Sequence, residues 1–583
     1  MISNIKASIA LILILSTLLY LFCACADKGS ISDGTSVPSE SEGSTENADT
    51  APDTETTGDK RTVLAENGEY LCRIVYPRKD ANGAEDAAEA LRDSMNNIFG
   101  SRPKSVTDVA PSEEGILDIY IGPTIHEESK RAYENIGYGD YSITRDGTKI
   151  VVAAYESNIL KTAVKALVAD MKASSEEGRL MLGDSVGVTV TASAMLSSLP
   201  KPDGDTPRIY CVSEALSYVY ALEDRRQEEF DTYSRALEQK GFKLYASQKI
   251  AQNSFATYHD DSTVVNLSYF SAKEAFNIAI DSKQCTALPV NETEQYTRVG
   301  KTTLSLLGCS AHGKDENGLS MFIRLADGRF IVWDGGGYNG DGDAENLHAK
   351  LTESASEVGV QKPVIAAWII THAHGDHANA YLSYLRKHAN DAEIQRLIIN
   401  KTTLEYGASA AEGALSEANI VMQTSTKSKN TEVIIAHAGQ HFTFADVSID
   451  ILCTLDSMMP YEFSDYNNSS IVARVEVGGK VLMTTGDAAT AVWDHICKVY
   501  GEYLDCDILQ VPHHGAIPGC TKAAYDLLKP ETLLWPAGPQ VLASVTSPSY
   551  RGYDINLYVL DTLGLRDNMH LAGLLGETTT LTF

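Results

Sequence analysis

The spacing of apolar residues changes along the chain, and these changes predict where helices and strands lie. Within residues 85–99 and 158–173, apolar positions recur every three or four residues, which predicts two amphipathic helices. The apolar run at 116–121 ends at Gly122-Pro123, and two short runs flank Asp146-Gly147, which predicts strands and a hairpin. Residues 61–200 are therefore predicted to form an α/β accessory domain.

A second pattern follows the linker Lys201-Pro202-Asp203-Gly204-Asp205. Helical spacing at 227–240 is followed by strand-like runs at 254–259, 263–269 and 275–280. Residues 206–290 are therefore predicted to form a small α+β accessory domain. Neither accessory domain contains a recognisable catalytic constellation, so scaffolding or substrate positioning is the expected role of both.

From residue 301 onward, strands and helices are predicted to alternate, and several strands end in polar, glycine-rich turns. A hairpin at 321–333 precedes a helix at 345–358, and a strand at 363–370 precedes a helix at 379–387. Further strands are predicted at 471–477, 480–485 and 508–512. This succession predicts an α/β class for the C-terminal half.

The N-terminus is polar only at its start and then apolar. Residues 7–22 carry no charge, and Cys25 follows Ala24, which resembles a bacterial lipoprotein cleavage box. We expect a lipoprotein-type signal peptide at 1–25 with lipidation at Cys25; a plain signal peptide or a retained anchor is the alternative. Residues 26–60 are rich in Ser, Thr, Asp and Glu and are expected to form a disordered tether. The protein is thus predicted to be extracytoplasmic and lipid-anchored to the cell membrane.

Composition narrows the choice of partner. A chain of 583 residues is too long to pack around a single hydrophobic core. The formal net charge of −30 argues against binding a polyanion mainly by electrostatic attraction. Nucleic acid remains a possible partner but is not favoured. The cysteines after Cys25 are scattered without a Cys-x-x-Cys pair, which indicates neither a disulfide framework nor a zinc knuckle.

The strongest chemical signal is the run Thr371-His372-Ala373-His374-Gly375-Asp376-His377, directly after the apolar stretch 364–370. Imidazole nitrogen and carboxylate oxygen are the ligands that a borderline divalent cation such as zinc prefers. A buried strand that ends in a tight turn would direct these side chains into one cavity. The run therefore predicts a metal site, and one that holds two cations.

Two later motifs extend this prediction. Gly486-Asp487 follows the strand at 480–485, and His513-His514-Gly515 follows the strand at 508–512. A carboxylate at the tip of a buried strand, just after glycine, can reach between two cations.

The three motifs, in this order, resemble those of the metallo-β-lactamase superfamily. The resemblance implies that residues 301–583 form an αββα sandwich. It also implies that His372 and His374 bind the first metal, that Asp376 and His377 bind the second, and that Asp487 bridges them. One of His513 and His514 would complete the second site, and the sequence leaves open which.

One departure concerns the first metal, for which the superfamily usually supplies a further histidine. Between the motifs lie only His388, His437 and His441, none of them in the usual context. Instead, Asn467, Asn468 and Ser469 resemble a segment of the branch that contains the ComEC-type competence hydrolase domain and the phosphorylcholine esterases. These three residues are candidate substrate contacts; turn capping is the alternative. An amide oxygen or water would replace the missing imidazole, and the cations would be zinc or manganese.

The resemblance implies a metal-dependent hydrolase, specifically a phosphodiesterase that uses a metal-activated hydroxide. Its catalytic residues would be Asp376, which orients the hydroxide, and the bridging Asp487. The expected substrate is a phosphoester of the cell envelope or of the extracellular space. Two alternatives remain: a catalytically weak or inactive metal-binding surface lipoprotein, and a lactone or β-lactam hydrolase.

Overall fold

Five β-sheets organise the part of the chain that the computed structural model describes, namely residues 61–79, 83–183, 186–213, 216–292, 295–310, 318–402, 408–461 and 465–583. The predicted signal peptide, Cys25 and the tether lie outside these residues. Within them, no helix combines the length and apolar content that crossing a bilayer requires.

Residues 61–200 form a mixed sheet with helices against it. The strands of this region are β1 (Thr62–Glu66), β2 (Glu69–Tyr70), β3 (Cys72–Tyr76), β4 (Lys104–Thr107), β5 (Leu117–Ile121), β6 (Asp140–Asp146), β7 (Lys149–Ala154), β8 (Arg179–Leu182) and β9 (Val188–Thr191). Its helices are α1 (Ala84–Phe99), α2 (Glu127–Glu134), α3 (Ser157–Ser174) and α4 (Ala194–Ser197). The sheet order is β4-β3-β5-β7-β6-β9, and β2-β1-β8 form a separate small sheet. The helix predicted at 85–99 is thus confirmed as α1, which buries Leu91 and Met95.

A six-stranded antiparallel sheet, here called the middle sheet, follows. It consists of β10 (Arg208–Ser213), β11 (Ser217–Leu222), β12 (Lys243–Ile250), β13 (Asn253–His259), β14 (Thr263–Phe270) and β15 (Ala275–Ser282), with α5 (Gln227–Gln239) beside it. Successive residues of a strand face opposite sides. Accordingly, Tyr220 packs with the core of residues 61–200, whereas Val219 packs with the core of the C-terminal half. The middle sheet is therefore covered on both faces.

The C-terminal half contains two large sheets. Their strands are β16 (Thr303–Leu307), β17 (Ser320–Arg324), β18 (Phe330–Asp334), β19 (Val364–Ile370), β20 (Glu393–Ile394), β21 (Arg396–Ile399), β22 (Glu432–Ile435), β23 (His441–Phe444), β24 (Val447–Cys453), β25 (Val472–Val477), β26 (Lys480–Thr484), β27 (Ile508–Gln510), β28 (Thr532–Trp535), β29 (Met569–Leu571) and β30 (Thr578–Thr582). The helices are α6 (Gly340–Glu357), α7 (Gly375–Lys387), α8 (Ala408–Lys427), α9 (Thr490–Tyr500), α10 (Lys522–Leu528), α11 (Pro539–Val545) and α12 (Tyr553–Leu557). Sheet I has the order β22-β21-β19-β18-β17-β16-β30, with β20 beside β19, and sheet II runs β23-β24-β25-β26-β27-β28-β29.

The two sheets share one apolar core and carry helices on their outer faces. Ile323 and Ile369 of sheet I belong to the same buried cluster as Ile449 and Val475 of sheet II. On the outside, Tyr381 of α7 packs edge-on against Trp368 of sheet I, with ring centroids 4.8 Å apart. Helices α9 and α10 cover sheet II in the same way. This arrangement is an αββα sandwich, and the α/β fold class predicted for 301–583 is confirmed.

The described chain from residue 61 onward packs as one compact unit. The division into accessory domains at 61–200 and 206–290 and a hydrolase domain at 301–583 therefore stays a prediction. One predicted helix boundary is wrong, and the error affects the candidate site. The helix expected at 379–387 begins at Gly375, so that Asp376 and His377 occupy its first turn, where an acidic side chain is favoured.

Candidate metal centre

The ends of four strands place the polar motifs at one edge of the sandwich. Strand β18 ends at Asp334, β19 leads into His372, β26 leads into Asp487, and β27 leads into His514. The backbone N–H of Ile471 donates to the carbonyl of Thr371 at 2.9 Å, which joins the two sheets at this edge. Parallel neighbours β18–β19 and β26–β27 end on the same side, so their terminal residues meet.

His377 lies fully buried between two carboxylates. Its Nδ1 is 2.7 Å from Asp334 Oδ2, and its Nε2 is 3.1 Å from Asp487 Oδ1. Asp334 also accepts hydrogen bonds from the N–H and the hydroxyl of Thr371, at 2.7 and 2.8 Å. Asp334 therefore orients His377. The sequence motifs did not single it out, although its position at a strand end before Gly335-Gly336-Gly337 is a usable signal.

His514 approaches the same carboxylate from sheet II. Its Nδ1 is 2.7 Å from the carbonyl oxygen of Pro536, and its Nε2 is 3.4 Å from Asp487 Oδ1 and 3.5 Å from Asp376 Oδ2. His513 and His514 both have left-handed backbones, with φ of 50° and 55°. Such residues cost of order 1–3 kcal/mol each and persist where the surroundings hold them, commonly at functional sites.

Asp376, His377, Asp487 and His514 each offer one ligand atom, and these atoms all lie within 4.8 Å of one another. His377 Nε2, His514 Nε2 and Asp487 Oδ1 are buried and make no hydrogen bond despite their closeness. Unpartnered buried polar atoms are costly unless something else satisfies them. Two imidazole nitrogens and two carboxylates that converge in this way fit a divalent cation.

The charges of the cluster residues shift one another's pKa values. Burial disfavours the imidazolium of His377, but Asp487 and Asp334 outweigh it and hold the pKa of His377 well above its ordinary value. Burial likewise opposes ionisation of Asp487, yet His377 and His514 hold the pKa of its carboxyl well below the usual range. For His514, the carboxylates overcome desolvation and raise the pKa to about 10. The carboxylates therefore stay ionised and hold protons on both imidazoles, and a bound divalent cation would take the place of those protons.

His372 and His374 form a second group of candidate ligands next to this cluster. His372 Nε2 is 3.0 Å from His374 Nδ1 and 4.0 Å from Asp487 Oδ2. Burial, followed by the charge on His377, lowers the pKa of both imidazoles, which favours the neutral form that binds metals. Asp487 therefore lies between the two groups, with one oxygen facing each.

Ser470 connects the two groups, although the motifs did not point to it. Its Oγ accepts from the N–H of Asp487 at 3.1 Å and lies 3.4 Å from His372 Nδ1.

The three histidines considered as a further ligand of the first metal are held elsewhere. His388 stacks on His348 at 4.0 Å, His437 lies between Asp281 and Asp456, and His441 pairs with Asp450. None of these three histidines therefore joins His372 and His374 as a further ligand of the first metal, in agreement with the departure seen in the sequence.

The predicted substrate contacts differ from one another. Asn467 Nδ2 lies 3.5 Å from His513 Nε2, and Asn467 Oδ1 is buried without a hydrogen bond. Asn468 is also buried, and its Oδ1 likewise has no hydrogen bond. The hydroxyl of Ser469 instead donates to the carbonyl of Tyr466 at 2.8 Å, which is a turn-capping contact.

His513 is set apart from the four-residue cluster. Its Nδ1 is 2.6 Å from the carbonyl oxygen of Pro518, and its Nε2 is 3.9 Å from Asp487 Oδ2. The two adjacent histidines therefore have different surroundings: His514 points into the cluster, and His513 faces Asn467 at its rim.

Comparisons with known proteins return structural likeness at low identity. CmlA, a diiron β-hydroxylase from Streptomyces venezuelae, is 14% identical over 50% of this chain and 55% of its own, with a TM-score of 0.31. The metallo-β-lactamase fold protein YhfI from Bacillus subtilis is 14% identical over 48% of this chain and 100% of its own, with a TM-score of 0.29. A metallo-β-lactamase of Cronobacter sakazakii is 15% identical over 33% of this chain and 66% of its own, with a TM-score of 0.19.

This chain spans about half the length of the diiron hydroxylase. No protein-family model and no curated protein matches the chain. The chain's own residues and their geometry are therefore the basis for inferring its function.

Proposed function

We propose that the C-terminal sandwich is a metal-dependent hydrolase of the metallo-β-lactamase superfamily and that it cleaves a phosphodiester. The observation that carries the proposal is the convergence of His377, His514, Asp376 and Asp487, in which three facing atoms are buried without a hydrogen bond: His377 Nε2, His514 Nε2 and Asp487 Oδ1. His372 and His374 lie beside them, on the other side of Asp487.

In this proposal His372 and His374 hold one cation, Asp376, His377 and His514 hold a second, and Asp487 is shared. Zinc suits the imidazoles, and manganese suits a site with fewer of them. When bound, such cations supply Lewis-acid activation of water and of the substrate oxygen.

The surrounding residues prepare the ligands. Nδ1–H of His377 donates to Asp334, and Nδ1–H of His514 donates to the carbonyl of Pro536, at 2.7 Å in each case. Because Nδ1 keeps its proton in both rings, Nε2 is the nitrogen that would release its proton and present a lone pair when a cation binds. Asp376, at the start of α7, reaches the same cluster and is placed to orient an attacking water and accept its proton.

Asn467 and His513 supply the substrate side. Nδ1–H of His513 donates to Pro518, which leaves Nε2 facing the amide of Asn467. The pair borders the cluster and is placed to contact an oxygen of the substrate or of the leaving group.

The substrate class rests on bond type and charge. The Asn467–Ser469 segment resembles the phosphodiesterase branch described above, and a net charge of −30 disfavours DNA. We therefore favour a phosphoester of an envelope polymer. The apolar segment 7–22 and Cys25 support export and a lipid anchor at the membrane surface.

Activity is tested on metal-loaded protein with bis-p-nitrophenyl phosphate, p-nitrophenyl phosphorylcholine and a chromogenic cephalosporin. Cleavage of a phosphodiester that is lost in Asp487→Asn is the expected result. Cleavage of the cephalosporin alone would instead support the β-lactam alternative.

The short supply of imidazoles around His372 and His374 keeps the weakly active binding lipoprotein as a second candidate. Metal analysis separates the two, because fewer than one bound cation per chain favours the binding protein.

The anchor is tested separately by Cys25→Ser. We expect the variant to leave the membrane fraction and to lose labelling by a fatty-acid probe. Unchanged membrane association and labelling would contradict lipidation at Cys25.

A further inference from the structure

A second group of metal-ligand side chains lies on the outer helical layer of the sandwich, away from the proposed hydrolytic centre. His348, on α6, and His388 and Asp391, at the end of α7, each offer one ligand atom, all within 4.8 Å of one another. From His377, in the first turn of α7, to His388 is about 11 residues, or roughly 17 Å at 1.5 Å per residue. The group is therefore distinct from the His377 cluster.

The two imidazoles are held rigidly. Their rings stack at 4.0 Å with an interplanar angle of 9°, and the hydroxyl of Tyr384 lies 3.0 Å from His348 Nδ1. The backbone N–H of Asp391 donates to the carbonyl of His388 at 3.0 Å, which fixes the spacing of these two residues. The candidate ligands thus need little ordering to bind a cation.

The two nitrogens of His388 face different carboxylates. Nδ1 lies 3.4 Å from Asp391 Oδ2, and Nε2 lies 3.3 Å from Glu345 Oε2. The side chain of His388 is 10% exposed, yet its Nε2 makes no hydrogen bond. Glu345 is more than half exposed and can move to accept the proton on Nε2, which would present Nδ1 as a ligand.

The neighbouring groups keep His348 uncharged and leave the carboxylate of Asp391 available as a ligand. Burial and the nearby His388 lower the pKa of His348 below its ordinary value, which keeps that ring unprotonated. Lys387 pairs with Glu345 Oε1 at 3.0 Å and with Asp341, and Arg386 also pairs with Asp341. Both basic residues are therefore engaged by other carboxylates than Asp391.

We propose that His348, His388 and Asp391 bind a divalent transition-metal cation of the zinc class, with Glu345 orienting His388. Two imidazoles and a carboxylate select zinc, cobalt or nickel over magnesium or calcium, which prefer oxygen ligands. The cation would clamp α6 to α7, the helix whose first turn carries Asp376 and His377. The site stabilises this helix pair and does not take part in hydrolysis.

Zinc binding is measured by equilibrium dialysis on the full chain, together with its effect on the melting temperature. We expect His348→Gln and Asp391→Asn to bind about one zinc fewer per chain, or to bind it at least about tenfold more weakly. Hydrolysis by both variants stays within about twofold of the unchanged protein under conditions that saturate the hydrolytic centre.

His441→Gln serves as the control, because it removes another partly buried imidazole, one that pairs with Asp450 and lies outside the proposed site. Asp391 is an exposed residue, so its variant tests the site even if His348→Gln folds poorly. Anomalous scattering at the zinc edge should show a peak beside His388. Equal zinc stoichiometry and affinity in all three variants, or an equal loss in His441→Gln, would overturn the proposal.

Discussion

His377 and His437 are both buried imidazoles that lie between two carboxylates, and their surroundings differ. His377 contacts Asp334 and Asp487 at 2.7 and 3.1 Å; His437 contacts Asp281 and Asp456 at 2.8 and 3.1 Å. Around His377, facing atoms of His514 and Asp487 make no hydrogen bonds. Around His437, both ring nitrogens are hydrogen-bonded, and Asp281 also accepts from the hydroxyl of Ser217.

The difference shows how to tell a candidate ligand-binding site from a structural group. The structural group, which consists of Asp281, His437 and Asp456, is called the clamp below. A satisfied Asp–His–Asp group joins Asp281, on the middle sheet, to the loops of the C-terminal sandwich, and it needs no further partner. A group of the same kind whose facing atoms lack hydrogen bonds, at converging strand ends, is a candidate for binding a cation. Burial and neighbouring charge are alike for His377 and His437, so these two properties alone do not distinguish them.

The comparison is tested most strongly by His377→Gln. We expect kcat/KM to fall by at least ~10³-fold, about 4 kcal/mol of transition-state stabilisation, because a ligand of the proposed metal centre is lost. Steady-state kinetics and metal content measure the effect, with His441→Gln as control. Activity within tenfold of the unchanged protein would remove His377 from the centre.

The corresponding variant of the clamp is His437→Gln, which we expect to lower the free energy of unfolding and to leave the activity unchanged. Removing one partner of a buried charge group typically costs about 3–5 kcal/mol, because Asp281 is left buried and unpaired. Urea unfolding measures the loss, and activity per folded molecule should be unchanged. A loss of bound metal in this variant would break the distinction between the two groups.

A pH profile of the clamp sharpens the same contrast. Desolvation is outweighed by Asp456 and Asp281, which raise the pKa of His437 to about 10. A pKa that folding raises contributes stability below the unfolded value, and the contribution disappears as the pH rises through the folded value. The contribution of His437 is therefore complete below about pH 6.5 and is lost progressively as the pH rises to about 10, which urea unfolding across this range measures.

Glu156 is a buried carboxylate whose pKa is also raised by folding, in this case by burial and over a more acidic range. It accepts from Tyr220 and from the N–H of Gly139, but burial raises its pKa to about 7. The folded protein then binds a proton that the unfolded chain releases near pH 4.5, so stability falls as pH rises from there to 7. The fall amounts to about 3 kcal/mol.

We expect Glu156→Gln to lack this fall, so that urea unfolding at pH 5 and pH 8 shows a smaller difference than in the unchanged protein. An identical pH dependence in the two proteins would show that Glu156 ionises freely.

Asp334→Asn tests whether the outer carboxylate of the His377 group orients the ring. We expect metal affinity to fall about 10–100-fold, the usual effect of removing such a partner. Competition with a chelator provides the measurement, and Asp446→Asn, in the turn between β23 and β24, is the control. Unchanged affinity would mean that Asp487 alone positions His377.

The smallest effect is expected for His513→Gln. Metal content should stay unchanged, and kcat/KM should drop about tenfold, the scale of one hydrogen bond to a charged group. His514→Gln is the matched comparison and should lose metal. If both variants lose metal equally, the assignment of His513 to the substrate side fails.

Much of the candidate centre could be predicted from local sequence. His372, His374, Asp376, His377 and Asp487 were singled out because ligand-type residues follow buried strands, and these strands can be identified from their apolar runs. The start of α7 was misplaced because Gly375 and Asp376 also suit a turn. The choice between His513 and His514 stayed open, because it depends on two adjacent left-handed residues and on the carbonyl of Pro536.

The sequence by itself determined the elements, the α/β class and the polar motifs, since these follow from periodicities and neighbouring residues. Only the tertiary structure decided which buried histidines are satisfied and which are not. It brought Asp334 to His377 across 43 positions and Asp281 to His437 across 156. Such pairings depend on how sheets pack, and no local pattern of residues encodes them.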